Sequence, residues 1–212
     1  MSNHQLYFSN HNKALRFPWS FYHRPLLNSL EFFLKSFDQN KAKTILIIGP
    51  GDLQELPLLL HYGFRPSLLD IDERTLDNLG KLHPESIESF YHVDENFNGY
   101  PKDQKFDAVY AKEVIEHIPD THAFLQQLKN VLNPKGKVWL STPNYGFFLL
   151  PLLEYTILEI VARFSGFSRR HIHPNKFTSV KLRTSLSAEG FGEVKIETTF
   201  AKLALCGTGT LT

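Results

Sequence analysis

An α/β fold built on a doubly wound, mainly parallel sheet follows from three features of the sequence. Strand-like and helix-like stretches alternate through the centre of the chain, the pattern of helices packed on a parallel sheet. The strand-like stretches are largely continuous apolar runs, as burial on both faces requires. Several of them end in a glycine break or an acid: Gly49-Pro50-Gly51, Asp70 and Asp94. In sheets of this kind ligands gather beyond such strand ends.

The elements follow in order. Thr44 to Ile48 (TILII) is a β-branched apolar strand, broken by the glycine turn. Asp52 and Glu55 have capping-box spacing, which predicts a helix from there through Leu56 to Leu60. Pro66 to Ile71 is a second strand, and Asp72 can cap the helix after it. Phe90 to Val93 and Phe106 to Ala111 are the third and fourth strands. Asp120 caps a helix with Phe124, Leu125, Leu128, Val131 and Leu132 on one face. Asn133-Pro134-Lys135-Gly136 should end it as a turn, before a fifth strand over Lys137 to Ser141. Thr178 to Glu189 reads as a late helix with Gly190 just past its end, followed by Glu193 to Thr198 with period-two alternation. The tail after Phe200 looks short for a closing strand pair. The sheet edge is therefore expected to be either incomplete or paired with another chain, as in a homodimer.

The chain has 212 residues, with 23 Lys+Arg against 22 Asp+Glu and a formal charge of +1. A chain of this size hides roughly 70% of its unfolded surface, enough for one domain. The charge balance gives no electrostatic reason for nucleic acid or a polybasic membrane contact. The single cysteine, Cys206, excludes an intrachain disulfide and a Cys-based zinc site, which fits a reducing cytoplasm. The N-terminus, MSNHQLYFSN, has no charged-then-apolar signal pattern. Residues 147–164 are apolar, but Pro151, Glu154, Glu159 and Arg163 argue against a membrane span.

Gly49 and Gly51 let the backbone approach a ligand, and free N–H groups at a helix start would suit its anionic part. The dinucleotide pattern G-x-G-x-x-G fails at Gln54, and no phosphate-binding P-loop pattern occurs. Asp70 lies 19 residues after Gly51, where a carboxylate either accepts both hydroxyls of a ribose or serves as a loop and capping residue.

These residues carry a resemblance. The stretch 44–144 resembles a class I S-adenosylmethionine-dependent methyltransferase. ILIIGPG is similar to that family's first motif, LLDIDERTL to its ribose-binding strand end, and YHVDENF to the strand end near the adenine. The most specific piece is KFDAVYAKEVIEHIPDTHAFLQQLKNVLNPKGKVWLSTPN, residues 105–144, with its Glu-His turn. A looser similarity to small-molecule methyltransferases runs through 171–191. The sequence departs from the first motif at Ile47, where the family usually has an acid, and at Leu53, where it usually has a third glycine.

The resemblance implies S-adenosylmethionine as cofactor, held by Gly49, Pro50, Gly51, Asp70, Ile71, Asp94, Glu95 and Lys112. It implies a core over 44–144 between an N-terminal helical cap (1–43), a lid insertion (145–177) and a C-terminal helix and strand (178–212). Methyl transfer to a hydroxyl of a small molecule (a sugar, quinone or lipid-like acceptor) is the implied reaction. A weakly active binding or regulatory module is the alternative. A base helps such a transfer by about 10²–10⁴-fold. His117, after the fourth strand, is the candidate, since imidazole ordinarily titrates near pH ~6.5; otherwise it packs at a turn. Glu154, His173, Tyr145 and Trp19 are the candidate substrate residues. Arg169-Arg170 is either an anion contact or a solvated loop. No metal is expected, because the ten histidines are scattered and His171-x-His173 lacks an obvious third ligand. A nucleic-acid methyltransferase is disfavoured, because Thr142-Pro143-Asn144-Tyr145 follows the fifth strand rather than the fourth.

Aromatic residues make up 13% of the chain, and they cluster. Nine of the 28 lie in residues 1–37 and six in 145–167. Both segments flank the cofactor motifs, so an aromatic lid that excludes water is expected.

Overall fold

The structure, a computed structural model, describes residues 20–151, 156, 173–199 and 201–212. Its elements in chain order are α1 (Ser20–Lys35), β1 (Lys43–Ile48), α2 (Leu56–His61), β2 (Phe64–Asp70), α3 (Glu73–Leu82), β3 (Phe90–His92) and β4 (Phe106–Lys112). A 3₁₀ turn (Ile115–His117), α4 (Thr121–Val131), β5 (Leu132–Pro143), α5 (Ser179–Ala188), β6 (Phe191–Thr198) and β7 (Ala204–Leu211) complete them. The seven strands form one sheet in the order β3-β2-β1-β4-β5-β7-β6. The first five are parallel, and β7 runs antiparallel to β5 and β6. The predicted doubly wound α/β class is therefore the observed one.

Period-two alternation in β1 sends its residues to two separate cores. Leu46 and Ile48 join Val109, Val138, Leu140 and the inner faces of α4 and α5. Ile45 and Ile47 join Leu68, Tyr110, Trp139 and the faces of α1, α2 and α3. The continuous apolar run exists because both sides of the strand are buried. Trp139 is fully buried, stacks on Tyr110 with centroids 4.9 Å apart, and donates from Nε1 to Ser29 Oγ at 3.2 Å. Cys206 is also buried, and burial pushes its thiol up to about 12. It is a packing residue rather than a reactive one.

The helix starts at Asp72, Asp120 and Thr178 are as the sequence predicts, each side chain accepting from a backbone N–H of the first turn. Three expectations need correction. The Asp52–Glu55 capping box does not form: α2 begins only at Leu56, with Pro57 in its first turn and no side-chain cap. Asp52 instead binds the Gln54 side chain, and Leu53 stands at φ +50°, which no helix can include. The turn expected over 133–136 is absorbed into β5, which runs directly out of α4 and pairs Leu132 with Phe106 across a register shift. Lys135 at φ +63° and a 2.8 Å bond from Asn133 Nδ2 to Asp107 Oδ1 accommodate the irregularity. Finally, the tail is long enough. The eight residues of β7 insert between β5 and β6 and complete the antiparallel strand pair, which leaves β6 as the edge strand on that side of the sheet.

Candidate functional site

The strand order reverses between β1 and β4, which opens a crevice at their carboxyl ends. Gly49 and Gly51 sit there at φ +63° and +56°. A Cβ on Gly49 would lie 2.8 Å from Val114 Cγ2, whereas one on Gly51 would meet nothing within 4 Å. The first glycine is thus required by packing and the second faces open space. Pro50 between them is buried. Leu53 repeats the left-handed backbone and is itself buried in the core under α2. The chain keeps the geometry of a third glycine and fills its space with a side chain.

That substitution has a measurable balance. Replacing Leu53 with Gly relieves roughly 1–2 kcal/mol of left-handed strain. It also removes a buried leucine, whose truncation costs about 2–5 kcal/mol. The second effect wins, so Leu53→Gly is expected to lower the denaturant-derived unfolding free energy.

The next strand end supplies an acid and an apolar surface. Asp70 closes β2, and its Oδ1 accepts from the Asp72 N–H at 2.9 Å. Burial raises its carboxyl pKa, against the backbone hydrogen bonds that lower it. Ile71 beside it is 56% exposed, which leaves it available to cover a flat apolar ring. Asp94 is exposed, and its carboxylate builds its own loop by accepting from the N–H of Asn96 and Asn98 at 2.9 Å and from Asn98 Nδ2 at 2.7 Å. Those bonds hold its pKa below the ordinary value. Glu95 is exposed on the same turn.

Lys112 ends β4. The register pairs Ile48 with Ala111, so Lys112 stands beside Gly49. Its ammonium binds Glu55, which is 1% exposed and also accepts from Tyr110 Oη at 2.8 Å. Glu55 was not picked out from the sequence as a site residue. Its one signal is an acid inside the apolar run LQELPLLL.

A second polar group follows β4. Glu113 has φ +56°, which turns the chain out of the strand and is strain of a kind often stored at functional sites. Its carboxylate accepts from Tyr22 Oη at 2.7 Å and from Ser141 Oγ at 3.1 Å. Burial pushes this carboxyl up, while Tyr22, Ser141 and the nearby His173 and Lys112 draw it down. The 3₁₀ turn then anchors Ile115 and Glu116 in the interior and leaves His117 half-buried. Asn175 ties the later chain onto this turn, donating from its N–H to Glu116 O at 3.2 Å and from Nδ2 to Ile118 O at 2.7 Å.

That strap brings His173 to His117, with ring centroids 4.8 Å apart. Tyr145 Oη lies 2.6 Å from His173 Nδ1, which leaves Nε2 as the nitrogen directed elsewhere. One ligand atom each from Glu116, His117 and His173 lies within 4.8 Å of the others, a spacing a divalent cation could bridge. The neighbours that the His171-x-His173 spacing does not reveal come from the turn after β4. Glu116 and Glu113 were missed as site residues because their partners are distant in sequence. Glu154, Trp19 and Arg169 to His171 lie outside the described residues.

Of the clustered aromatics among the described residues, Tyr22 and Tyr145 reach this polar group. Phe33 and Phe37 do not. Phe37 packs edge-on against Phe33 and Phe64, the latter at the opposite end of β2, in ordinary core. Phe21, Phe32 and Phe148 are exposed.

A glycine turn for close approach, an acid for a diol, an apolar side chain beside it and a cation at the turn fit an adenosine-containing amino acid. The sequence pattern of a family described as a methyltransferase domain matches residues 19–195. The chain therefore belongs to that family, the class I S-adenosylmethionine-dependent methyltransferases, and S-adenosylmethionine is its cofactor.

Among individual proteins, the chain is similar to a ubiquinone biosynthesis O-methyltransferase of Hydrogenovibrio crunogenus. The two are 24% identical over 159 residues, covering 73% of this chain and 66% of that protein. The enzyme of the same name from Coxiella burnetii is 26% identical over 65% of this chain and 61% of its own length. The chain thus spans about two thirds or less of these relatives. Among solved structures, the DhpI complex with S-adenosylhomocysteine aligns with a TM-score of 0.68 at 17% identity over 97% of this chain and 93% of that one. Magnesium protoporphyrin IX methyltransferase from Synechocystis, also with S-adenosylhomocysteine bound, aligns at 0.61 and 16% identity over 90% and 84%. These likenesses concern the fold. Among the described residues no helix is long and apolar enough to cross a membrane.

Proposed function

We propose that this methyltransferase acts on a hydroxyl group of a small molecule, with His117 as the base. The observation that carries the reading is the cluster of Glu113, His117, Tyr145 and His173 beside the cofactor crevice. The low-identity likeness to ubiquinone-pathway O-methyltransferases supports a phenolic or quinol-like acceptor. S-adenosylmethionine supplies an activated methyl group, so the protein's task is alignment and proton removal.

The residues divide that task. Asp70 accepts the ribose hydroxyls, Ile71 covers the adenine, and the Gly49–Gly51 turn admits the backbone to the ligand. Pro50 stiffens that turn, and Asp94 with Glu95 shapes the adenine end. Lys112 faces the amino-acid end. His117 takes the proton from the acceptor hydroxyl. His173, fixed by Tyr145, lies against His117, and the nearby Glu113 carboxylate favours the positive charge that the proton brings. Trp19 and Glu154 remain candidate substrate contacts. The described residues of the cluster all come from one chain, and the balanced charge of the sequence favours a small-molecule acceptor over a nucleic acid.

Incubation with S-adenosylmethionine and a panel of catechols and prenylated phenols, followed by mass spectrometry, tests this. Appearance of a singly methylated ether is expected. Tight cofactor binding with no methylated product from any hydroxyl acceptor would favour a regulatory binding module instead. The close approach of Glu116, His117 and His173 supports a second reading, in which they hold a divalent cation that lowers the acceptor's pKa. Turnover abolished by a chelator and restored by the metal would select that reading over the base.

A further inference from the structure

Strand β1 contributes no acid to the crevice, since position 47 is a fully buried isoleucine. A buried carboxylate is nevertheless present on the same side of the sheet. Ile47 is the register partner of Tyr110, and the Tyr110 hydroxyl donates to Glu55 Oε1 at 2.8 Å. Glu55, the residue just before α2, therefore delivers an acid to the side of the sheet where the strand has none.

Burying this acid is explained by its partner. Lys112 Nζ binds the same oxygen, and its side chain is 17% exposed against 1% for Glu55. A buried carboxylate with two hydrogen bonds is satisfied, while an ammonium has three protons and spends one on Glu55. The lysine is the end of the pair nearer solvent, and it stands beside Gly49 at the turn. An apolar pair would fill this space at no cost in desolvation. Retaining charges here makes sense where the outer charge has a ligand to meet.

We propose that Glu55 is a positioning residue: it holds the Lys112 ammonium at the glycine turn, where Lys112 takes the carboxylate of the cofactor's amino-acid end. The inference rests on the methyltransferase reading above. Glu55 also balances the lysine's charge, so the positive sulfonium does not meet a net-positive wall.

Calorimetry on the full chain with two ligands tests it. S-adenosylhomocysteine carries the amino-acid end; 5′-methylthioadenosine shares the adenosine and sulfur but lacks that end. Lys112→Met should weaken the first by about 10- to 100-fold, the range for a hydrogen bond to a charged group, and leave the second unchanged. Glu55→Gln, which keeps a partner for Tyr110, should produce a smaller loss with the same selectivity. The double variant Glu55→Gln/Lys112→Met leaves no unpaired buried charge and should reproduce the Lys112→Met result, which guards against misfolding of the single variant. Equal weakening of both ligands, or no change in S-adenosylhomocysteine affinity, would overturn the proposal. A native chain that binds neither ligand would overturn the cofactor reading itself, and this inference with it.

Discussion

His117→Gln is expected to lower kcat by about 10²–10⁴-fold, the usual contribution of a positioned base, with the affinity for S-adenosylhomocysteine unchanged. Glutamine keeps the size and polarity of the side chain but cannot take up a proton. The turn that carries it is held by buried Ile115 and Glu116 and by the Asn175 strap, so the fold should tolerate the change. A purely structural role would show as lost stability and weakened binding, not as a selective fall in kcat. Near-native turnover in this variant, together with collapse in His173→Gln, would move the base to the neighbouring ring and overturn the assignment.

Asp70→Ala is expected to weaken S-adenosylhomocysteine binding by about 10²-fold or more. Two hydroxyls donating to one carboxylate contribute roughly 1.5–3 kcal/mol each, so their joint loss exceeds the effect of any single neutral contact. The pH dependence has a definite sign. Burial raises the Asp70 carboxyl above its ordinary 3.8, so on acidification it protonates earlier than an exposed aspartate would. Cofactor affinity should therefore fall as pH drops through that raised value, and Asp70→Asn should abolish this dependence. Stability of the free protein runs the other way. Between the ordinary and raised values the fold binds more protons than the unfolded chain, so Asp70 lowers stability as pH rises through that window. Affinity titrations at several pH values check the first sign and denaturant unfolding of the free protein at the same pH values checks the second; a flat affinity profile would remove Asp70 from the ribose site.

What was legible in the sequence is what local physics writes there. Strands buried on both faces appear as apolar runs, and Asp72, Asp120 and Thr178 cap helices whose start depends only on the next few residues. The Asp52–Glu55 spacing misled because a backbone reversal at Leu53 and a partner on β4 claimed the Glu55 side chain instead. Acids at the site were hidden for the same reason. Tyr22 and Glu113 are 91 positions apart and Glu55 and Lys112 are 57 apart, and nothing local marks such pairs. The meeting of His173 with His117 likewise depends on Asn175, whose contacts with the turn after β4 only the folded chain reveals.

At the end of β5, Asn144 forms an isolated bridge with Phe177, and the Tyr145 N–H donates to Phe177 O at 2.9 Å. Positions 144–145 and 177, 32 residues apart in sequence, therefore meet at one point beside the sheet. A segment clamped in this way is a cassette. Doubling its length would add only about 0.6 kcal/mol of loop-closure cost, and exchanging it would leave every strand pairing in place. The length of chain between these two points can therefore vary while the sheet on either side keeps its register.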